Sequence, residues 1–237
     1  MTKLGRSATV LCLCCVALVY GSPSEAQTPA PIGEQIAKAY GLDGWAQIEA
    51  IRYTFNAELP GFNLSRSWIW EPKTGQISYE GKAQDGSLIK LNYNQNRLAD
   101  APANVRDVID PAFVNDKYNL LFPLQSYWDG IEAKDGGQTK LPLAQGVAKD
   151  VVVDYSPDGD RWDLYVGPGN QIEEFGFHRG GPRKPSVVFM TWAGIKKAGP
   201  LVLATDRRGT ADDKPAHIFF TDVAVKLVGT DTWVEVK

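Results

Sequence analysis

A period-two alternation of apolar and polar side chains constrains the fold of this 237-residue chain more than any other feature. Within residues 48–59, every second side chain from Ile51 onward is apolar, namely Ile51, Tyr53, Phe55, Ala57 and Leu59. Successive side chains of a strand point to opposite faces, so the pattern indicates a strand with one buried and one solvated face. Residues 48–59 are therefore predicted to form a long strand of an antiparallel sheet.

Further segments with strand character are separated by short turns rich in Gly, Pro, Asn and Asp. They are residues 64–71, 76–81, 88–94, 150–155, 161–167, 171–178, 186–195, 201–207, 217–227 and 232–236. Strands do not alternate with helices along the chain, which disfavours a parallel sheet. The pattern predicts a mainly β (α+β) fold, either a curved antiparallel sheet or an incomplete β-barrel, of about ten strands. Segment 186–195 is apolar at both alternating positions, so it needs cover on both faces or a cavity on one.

Two segments have helical periodicity instead. Residues 31–40 (PIGEQIAKAY) predict a short amphipathic helix that ends at Gly41. The second segment interrupts the strands after the fourth one, within residues 110–128. Asp110 is a candidate N-cap there, and Pro111 suits the first helical position.

The apolar side chains of this second segment recur at helical spacing, at Val114, Tyr118, Leu121 and Phe122. Asn115, Asp116, Lys117 and Asn119 occupy the opposite, polar side. Pro123 is predicted to stop or kink the helix. The segment is therefore amphipathic, and its apolar side has to be buried against another part of the protein.

We expect the helical segment to cover the aromatic face of the sheet as a lid. The candidate ligand-binding residues come from both surfaces and are Arg66, Trp68, Trp70, Tyr79, Tyr93, Phe113, Tyr118, Leu121, Phe122 and Trp128. Two arrangements are open. The bulky side chains either line a dry pocket for an acyl chain, or pack directly on each other with nothing between them.

The first 26 residues have the three parts of a secretory signal peptide. Lys3 and Arg6 give the positive start, a mostly apolar run covers residues 8–20, and Ser24-Glu25-Ala26 offers small residues for cleavage. Residues 27–237 are then predicted to form a single domain. The three cysteines, at positions 12, 14 and 15, fall in the predicted signal, so the mature chain is cysteine-free, which favours an exported protein of the bacterial periplasm. A lipid-anchored protein is disfavoured, because Leu11, Leu13 and Cys14 precede the candidate cysteines where a small residue is expected.

The net charge and the residue composition limit which ligands the protein can bind and which reactions it can catalyse. A formal net charge of −3 disfavours nucleic acid as a partner. His178 and His217 are the two histidines, too few for a histidine-based zinc site, and we expect neither a metal nor a cofactor. No catalytic residue is predicted, although a carboxylate pair from Glu58, Asp163, Glu173 or Glu174 stays open.

The order of these elements resembles the LolA/LolB-like superfamily of periplasmic lipoprotein carriers. The resemblance rests on a first helix, antiparallel strands and a helical insertion after the fourth strand, and on the stretches SWIWEPKTGQISYEG and FVNDKYNLLFPLQ. It implies a half-barrel with an apolar concave face, in which Phe113 to Trp128 form the lid and Trp68 and Trp70 the floor. On this resemblance the chain is identified as an uncharacterised, exported bacterial member of that superfamily.

These observations favour a non-enzymatic, monomeric protein that binds a hydrophobic small molecule or a lipoprotein acyl chain, as carrier or chaperone. Two alternatives stay open. One is a hydrolase or lyase that uses carboxylates in the same cleft. The other is a non-catalytic envelope module that binds another envelope protein through a sheet edge or an aromatic patch.

Overall fold

A computed structural model describes residues 30–59, 61–83, 85–155 and 159–237. The predicted signal peptide and its cysteines lie outside the described residues, as do positions 27–29 at the start of the predicted mature chain. Within the described residues the chain forms thirteen strands and two α-helices.

The first half of the chain contains α1 (Ile32–Ala39), a 3-10 turn (Leu42–Gln47), β1 (Ile48–Leu59), β2 (Phe62–Glu71), β3 (Gln76–Lys82) and β4 (Leu88–Asn94). A 3-10 turn (Gln95–Asp100) and a π-helical turn (Val105–Ile109) then lead into α2 (Asp110–Trp128). The second half contains β5 (Ala133–Lys140), β6 (Val147–Asp154), β7 (Arg161–Val166), β8 (Ile172–His178), β9 (Val187–Thr191), β10 (Ala193–Ala198), β11 (Leu201–Ala211), β12 (Lys214–Leu227) and β13 (Trp233–Glu235).

All strands join one curved, open antiparallel sheet in the order β4-β3-β2-β1-β12-β11-β9-β8-β7-β6-β5. β10 pairs with β11, and β13 pairs with β12. The two meanders meet where β1 pairs with β12 along most of its length, from Ile48 opposite Leu227 to Glu58 opposite His217. The predicted fold class is confirmed, including the N-terminal helix and the helix after the fourth strand.

The thirteen strands exceed the eleven predicted strand segments by two, for two physical reasons. β5 has the sequence AKDGGQTK and lies at the edge of the sheet, almost wholly exposed, so it lacks the apolar alternation that marks a half-buried strand. The predicted strand 186–195 is two strands, because regular pairing is interrupted at Trp192: β9 pairs with both β8 and β11, whereas β10 pairs with β11.

Helix α2 differs from its prediction at its N-terminal end, whereas the predicted kink near Pro123 is confirmed. Asp110 is not an N-cap, because the π-helical turn precedes it without a break. Its carboxylate is buried instead and accepts hydrogen bonds from the Tyr93 hydroxyl (2.9 Å) and the Gln95 side chain (3.1 Å). The helix continues past Pro123 to Trp128, with non-helical backbone angles at Leu121, two residues before the proline. In the described part of the chain, no helix is long and apolar enough to cross a membrane.

The sequence places Asp116 on the polar side of α2, but the structure buries it completely, at 0% exposure. Nε and Nη2 of Arg66, on β2, donate to its two carboxylate oxygens at 2.8 and 2.5 Å. The Trp68 indole N–H donates to the same carboxylate at 2.9 Å, and the Asn115 amide at 3.0 Å. Burial raises the pKa of Asp116, while these donors oppose that rise. This ion pair fixes α2 against β2.

The apolar core forms two clusters, one over each half of the sheet. Helix α2 contributes Phe113, Leu120, Leu121 and Leu124 to the cluster over β1–β4. It contributes Phe122 to the cluster over β6–β9, which also receives Ile36 and Tyr40 from the first helix and the residue after it. One kinked helix thus bridges both clusters.

Replacing Asp116 with alanine is expected to lower the free energy of unfolding by about 3–5 kcal/mol, because Arg66 is left as a mostly buried charge without its partner. Urea denaturation measures this loss. The matched control is Asp107→Ala on the preceding turn, which removes an exposed carboxylate and should change stability by less than about 0.5 kcal/mol. Equal effects of the two substitutions would contradict a structural role for the Asp116 ion pair.

Candidate functional site: a cleft between the helix and the concave face

An open cleft of about 510 Å³ lies between the first half of α2 and the concave face of the sheet. One side of the cleft is built by neighbouring strands whose side chains share a face. Leu64 of β2 lies opposite Ala57 of β1, which lies opposite Ile218 of β12, and all three line the cleft. Because residues directly opposite one another in antiparallel strands point to the same face, this row defines the floor of the cleft.

The far side of the cleft is aromatic and aliphatic. Its lining side chains from β7, β8 and β9 are Trp162, Phe175, Phe177, Val188 and Met190. Phe122 of α2 stacks on Trp162, with ring centroids 4.0 Å apart and planes inclined by 23°. This stack holds the far wall against the helix and leaves the space in front of it open.

Charged groups concentrate at the rim. Arg179, Arg183 and Asp160 line the cleft together with Arg66, whose charge is matched by buried Asp116. The Asp160 carboxylate accepts the Gly180 backbone N–H at 2.9 Å, which holds the rim loop. The balance of charge at the rim is thus positive in a chain whose net charge is negative.

A hydrogen-bonded carboxylate at the C-terminal end of α2 connects the helix to the residue that follows β6. Asp129 accepts the hydroxyl of Tyr118 at 2.5 Å, that of Tyr155 at 2.9 Å and the Gln125 amide at 2.7 Å. Burial and the bond to Asp129 raise the pKa of both tyrosines, so both hydroxyls stay protonated as donors at neutral pH. Tyr118 and Tyr155 also line the cleft.

In the structure, the predicted site residues fall into two groups, those that line the cleft and those that are packed between helix and sheet. Arg66 and Tyr118 line the cleft. The others belong to the packed contact between helix and sheet, or lie beside it, and are Trp68, Trp70, Tyr79, Tyr93, Phe113, Leu121, Phe122 and Trp128. Phe113 is 0% exposed, with its ring centroid 5.4 Å from that of Trp68 and 5.9 Å from that of Trp70. The expectation that the two tryptophans form the floor of the cleft is therefore corrected, since Phe113 fills the space above them.

A second, shallower hollow of about 490 Å³ lies beside strands β1–β4 and includes Trp68 and Tyr79 in its lining. Its other lining groups are largely polar, among them Thr54, Ser67 and Asn92. It therefore lacks the continuous apolar wall of the first cleft.

The cleft residues missed from the sequence carried a detectable signal. Phe55, Ala57 and Leu59 line it, and all three belong to the apolar series of the first predicted strand. Periodicity shows that this series faces inward. It does not show that the helix covers β2 at the tryptophans and leaves the end of β1 uncovered.

The carboxylates considered for catalysis lie away from the cleft lining. Glu174 is buried and accepts the backbone N–H groups of Leu143 and Ala144, each at 2.8 Å. Asp163 pairs with Arg161 and His178, at 2.6 and 2.9 Å. Among the described residues, no group of three or more His, Cys, Asp or Glu side chains is arranged to hold a metal ion.

Comparison with known proteins assigns no family to this chain. No family model matches the sequence, and no curated protein matches it. Among solved structures it is similar to a DUF1329 family protein from Desulfovibrio piger, at 10% sequence identity and a TM-score of 0.41. The similarity covers 86% of this chain and 96% of that one. Membership of this chain in the LolA/LolB-like superfamily therefore stays a prediction.

The packed contact and the open cleft should respond differently to the loss of an aromatic ring. Phe113→Ala is expected to lower the free energy of unfolding by about 3–5 kcal/mol, because it opens a cavity between Trp68 and Trp70. Phe62→Ala removes a ring from the rim, where Phe62 is 52% exposed, and should cost less than about 1 kcal/mol. Chemical denaturation of both variants checks this, and a small loss for Phe113→Ala would contradict the packed arrangement.

Proposed function

We propose that the protein binds a hydrophobic ligand, such as an acyl chain, in the cleft between α2 and the concave face, as a carrier or chaperone. The observation that carries this proposal is the cleft itself, about 510 Å³ of open space with an aromatic and aliphatic lining. That volume is within the range of about 300–1,000 Å³ typical of small-molecule sites.

The binding energy would come from apolar surface. Ligand atoms that leave water for this cleft gain roughly 25 cal/mol per Å² of apolar area, against the cost of immobilising the chain. The side chains of the far wall already pack on one another, as Trp162 does on Phe175, with centroids 5.3 Å apart. Such a wall is largely preformed, so little ordering is required when the ligand binds.

Ligand access is proposed to occur at the rim rather than by lifting the helix. The inner side of α2 is held by the Arg66–Asp116 ion pair, and its C-terminal part by the bonds to Asp129. The rim between Phe62, Pro111 and Arg183 is open. A movable lid, as the resemblance implies, would have to break the first of these contacts.

The export route and the partners of such a carrier are part of the proposal. The sequence of residues 1–26 supports secretion into a bacterial periplasm, and the cleft suits one acyl chain of a lipid or lipoprotein. A donor and an acceptor for the ligand would then be envelope components.

The test fills the cleft with a tryptophan. Val114→Trp places an indole on the cleft side of α2 and is expected to weaken binding of a neutral naphthylamine dye about tenfold or more, equivalent to about 1.4 kcal/mol. Fluorescence titration measures the affinity. The matched control is Val108→Trp, on the turn before the helix, where the valine is 64% exposed; it should bind the dye like the parent protein.

Native mass spectrometry of the parent protein, purified without detergent, complements the titration. A retained lipid in the parent and a reduced amount in Val114→Trp are expected. Parent protein that neither retains a lipid nor binds the dye, or dye binding that Val114→Trp leaves unchanged, contradicts the proposed function.

A further inference from the structure

A buried arginine lies next to the floor of the cleft, on the same face of the sheet. Arg207 of β11 is opposite Ile218 of β12 and so continues the row formed by Leu64, Ala57 and Ile218. Because directly opposite residues share a face, Arg207 points to the concave side of the sheet. It is 0% exposed, and its Nη1 reaches the side-chain oxygen of Asn119, a cleft residue, at 3.4 Å.

The Nε and Nη2 edge of the Arg207 guanidinium is the edge through which other arginines of this protein bind carboxylates. Nε and Nη2 of Arg207 have no hydrogen-bond partner among the described residues. In Arg66 the same two nitrogens donate hydrogen bonds to both carboxylate oxygens of Asp116. In Arg161 they donate to one oxygen of Asp163. This parallel pair of N–H donors fits a carboxylate in bidentate geometry.

The charge of Arg207 is only partly compensated. Its guanidinium carbon lies 3.8 Å from the ring centroid of Trp192 and between 5 and 6 Å from those of Phe175 and Phe220. No carboxylate of the described chain pairs with it. Tyr40 is nearby, but burial raises the pKa of its hydroxyl to about 12, so it is neutral.

Burial also affects Arg207 itself. It lowers the pKa of the guanidinium to about 9, which still leaves the side chain positively charged at neutral pH. A buried cation without an anion is unfavourable, and buried charges in proteins are normally paired. An anion in contact with Nε and Nη2 would supply such a pairing.

We propose that Arg207 anchors the carboxylate of a long-chain amphipathic acid, whose apolar chain occupies the cleft. This inference rests on the proposed function and adds the chemical class of the ligand. Arg207 does not itself line the cleft, so the head group has to displace the Asn119 side chain, which lines the cleft and bonds to Nη1, to reach the Nε and Nη2 edge. Arg179 and Arg183 at the rim attract the acid as it approaches.

The test compares hexadecanoic acid with its methyl ester, which has the same chain but no charge. Each ligand displaces the neutral naphthylamine dye from the full-length protein at pH about 7, where a carboxylic acid is ionised. The parent protein is expected to bind the acid about tenfold more tightly than the ester, because only the acid makes the charged bidentate contact.

Two substitutions should remove this preference by different means. Arg207→Met deletes the guanidinium and keeps an apolar side chain of similar length. Asn119→Asp leaves Arg207 in place but adds a carboxylate beside it, which neutralises the site internally and should also raise the thermal unfolding temperature. If Arg207→Met fails to fold, Asn119→Asp still tests the proposal. The control is Arg208→Met, which removes an exposed charge from the opposite face of the same strand and should keep the preference.

The outcomes separate the two proposals. Equal affinity of the parent protein for acid and ester overturns the role of Arg207 and leaves the apolar cleft intact. An unchanged acid preference in Arg207→Met or Asn119→Asp overturns it as well. Failure of both ligands to bind the parent protein contradicts the proposed function, and the inference about Arg207 falls with it.

Discussion

The ion pair between Arg66 and Asp116 determines where the rest of the molecule can lie. Asp116 is desolvated completely and accepts four hydrogen bonds, two of them from Arg66, so the helix that carries it has one position on β2. With that position fixed, Phe113 falls between Trp68 and Trp70, one helical turn away. Buried ion pairs add little net stability compared with apolar packing, and in this protein the pair specifies the placement of the helix.

The cleft follows from this placement and from the width of the sheet. A single helix is about 10–12 Å in diameter, and neighbouring strands are about 4.8 Å apart, so one helix covers only a few strands. Helix α2 lies tightly on the cluster over β1–β4 and contacts the other cluster through Phe122. Between those two contacts, no element of the described chain packs on the apolar lining of the concave surface. The space is a geometric consequence of a wide curved sheet held against one anchored helix.

Local periodicity was sufficient to predict most of the sheet, because half-buried strands repeat every two residues whatever they pair with. It failed for β5, which is exposed on both faces, and for Asp116, which local spacing assigned to the polar side of the helix. The partner that buries Asp116 is fifty residues away in the sequence, and no local pattern encodes it. For the same reason the tryptophans were predicted as the floor of a cavity, since their burial depends on where the ion pair holds Phe113.

Arg66 and Arg207 both bring a positive charge into the interior of the protein, and the two charges are compensated in different ways. Arg66 has a carboxylate on its Nε and Nη2 edge, whereas Arg207 has aromatic rings around it and, among the described residues, no hydrogen-bond partner on that edge. Cation–π contacts of this kind contribute about 2 kcal/mol when desolvated, less than the several kcal/mol that a buried charge costs. An apolar side chain at position 207 would avoid that cost. A charge kept in an unfavourable place beside a cleft is typical of a residue retained for binding at the expense of stability.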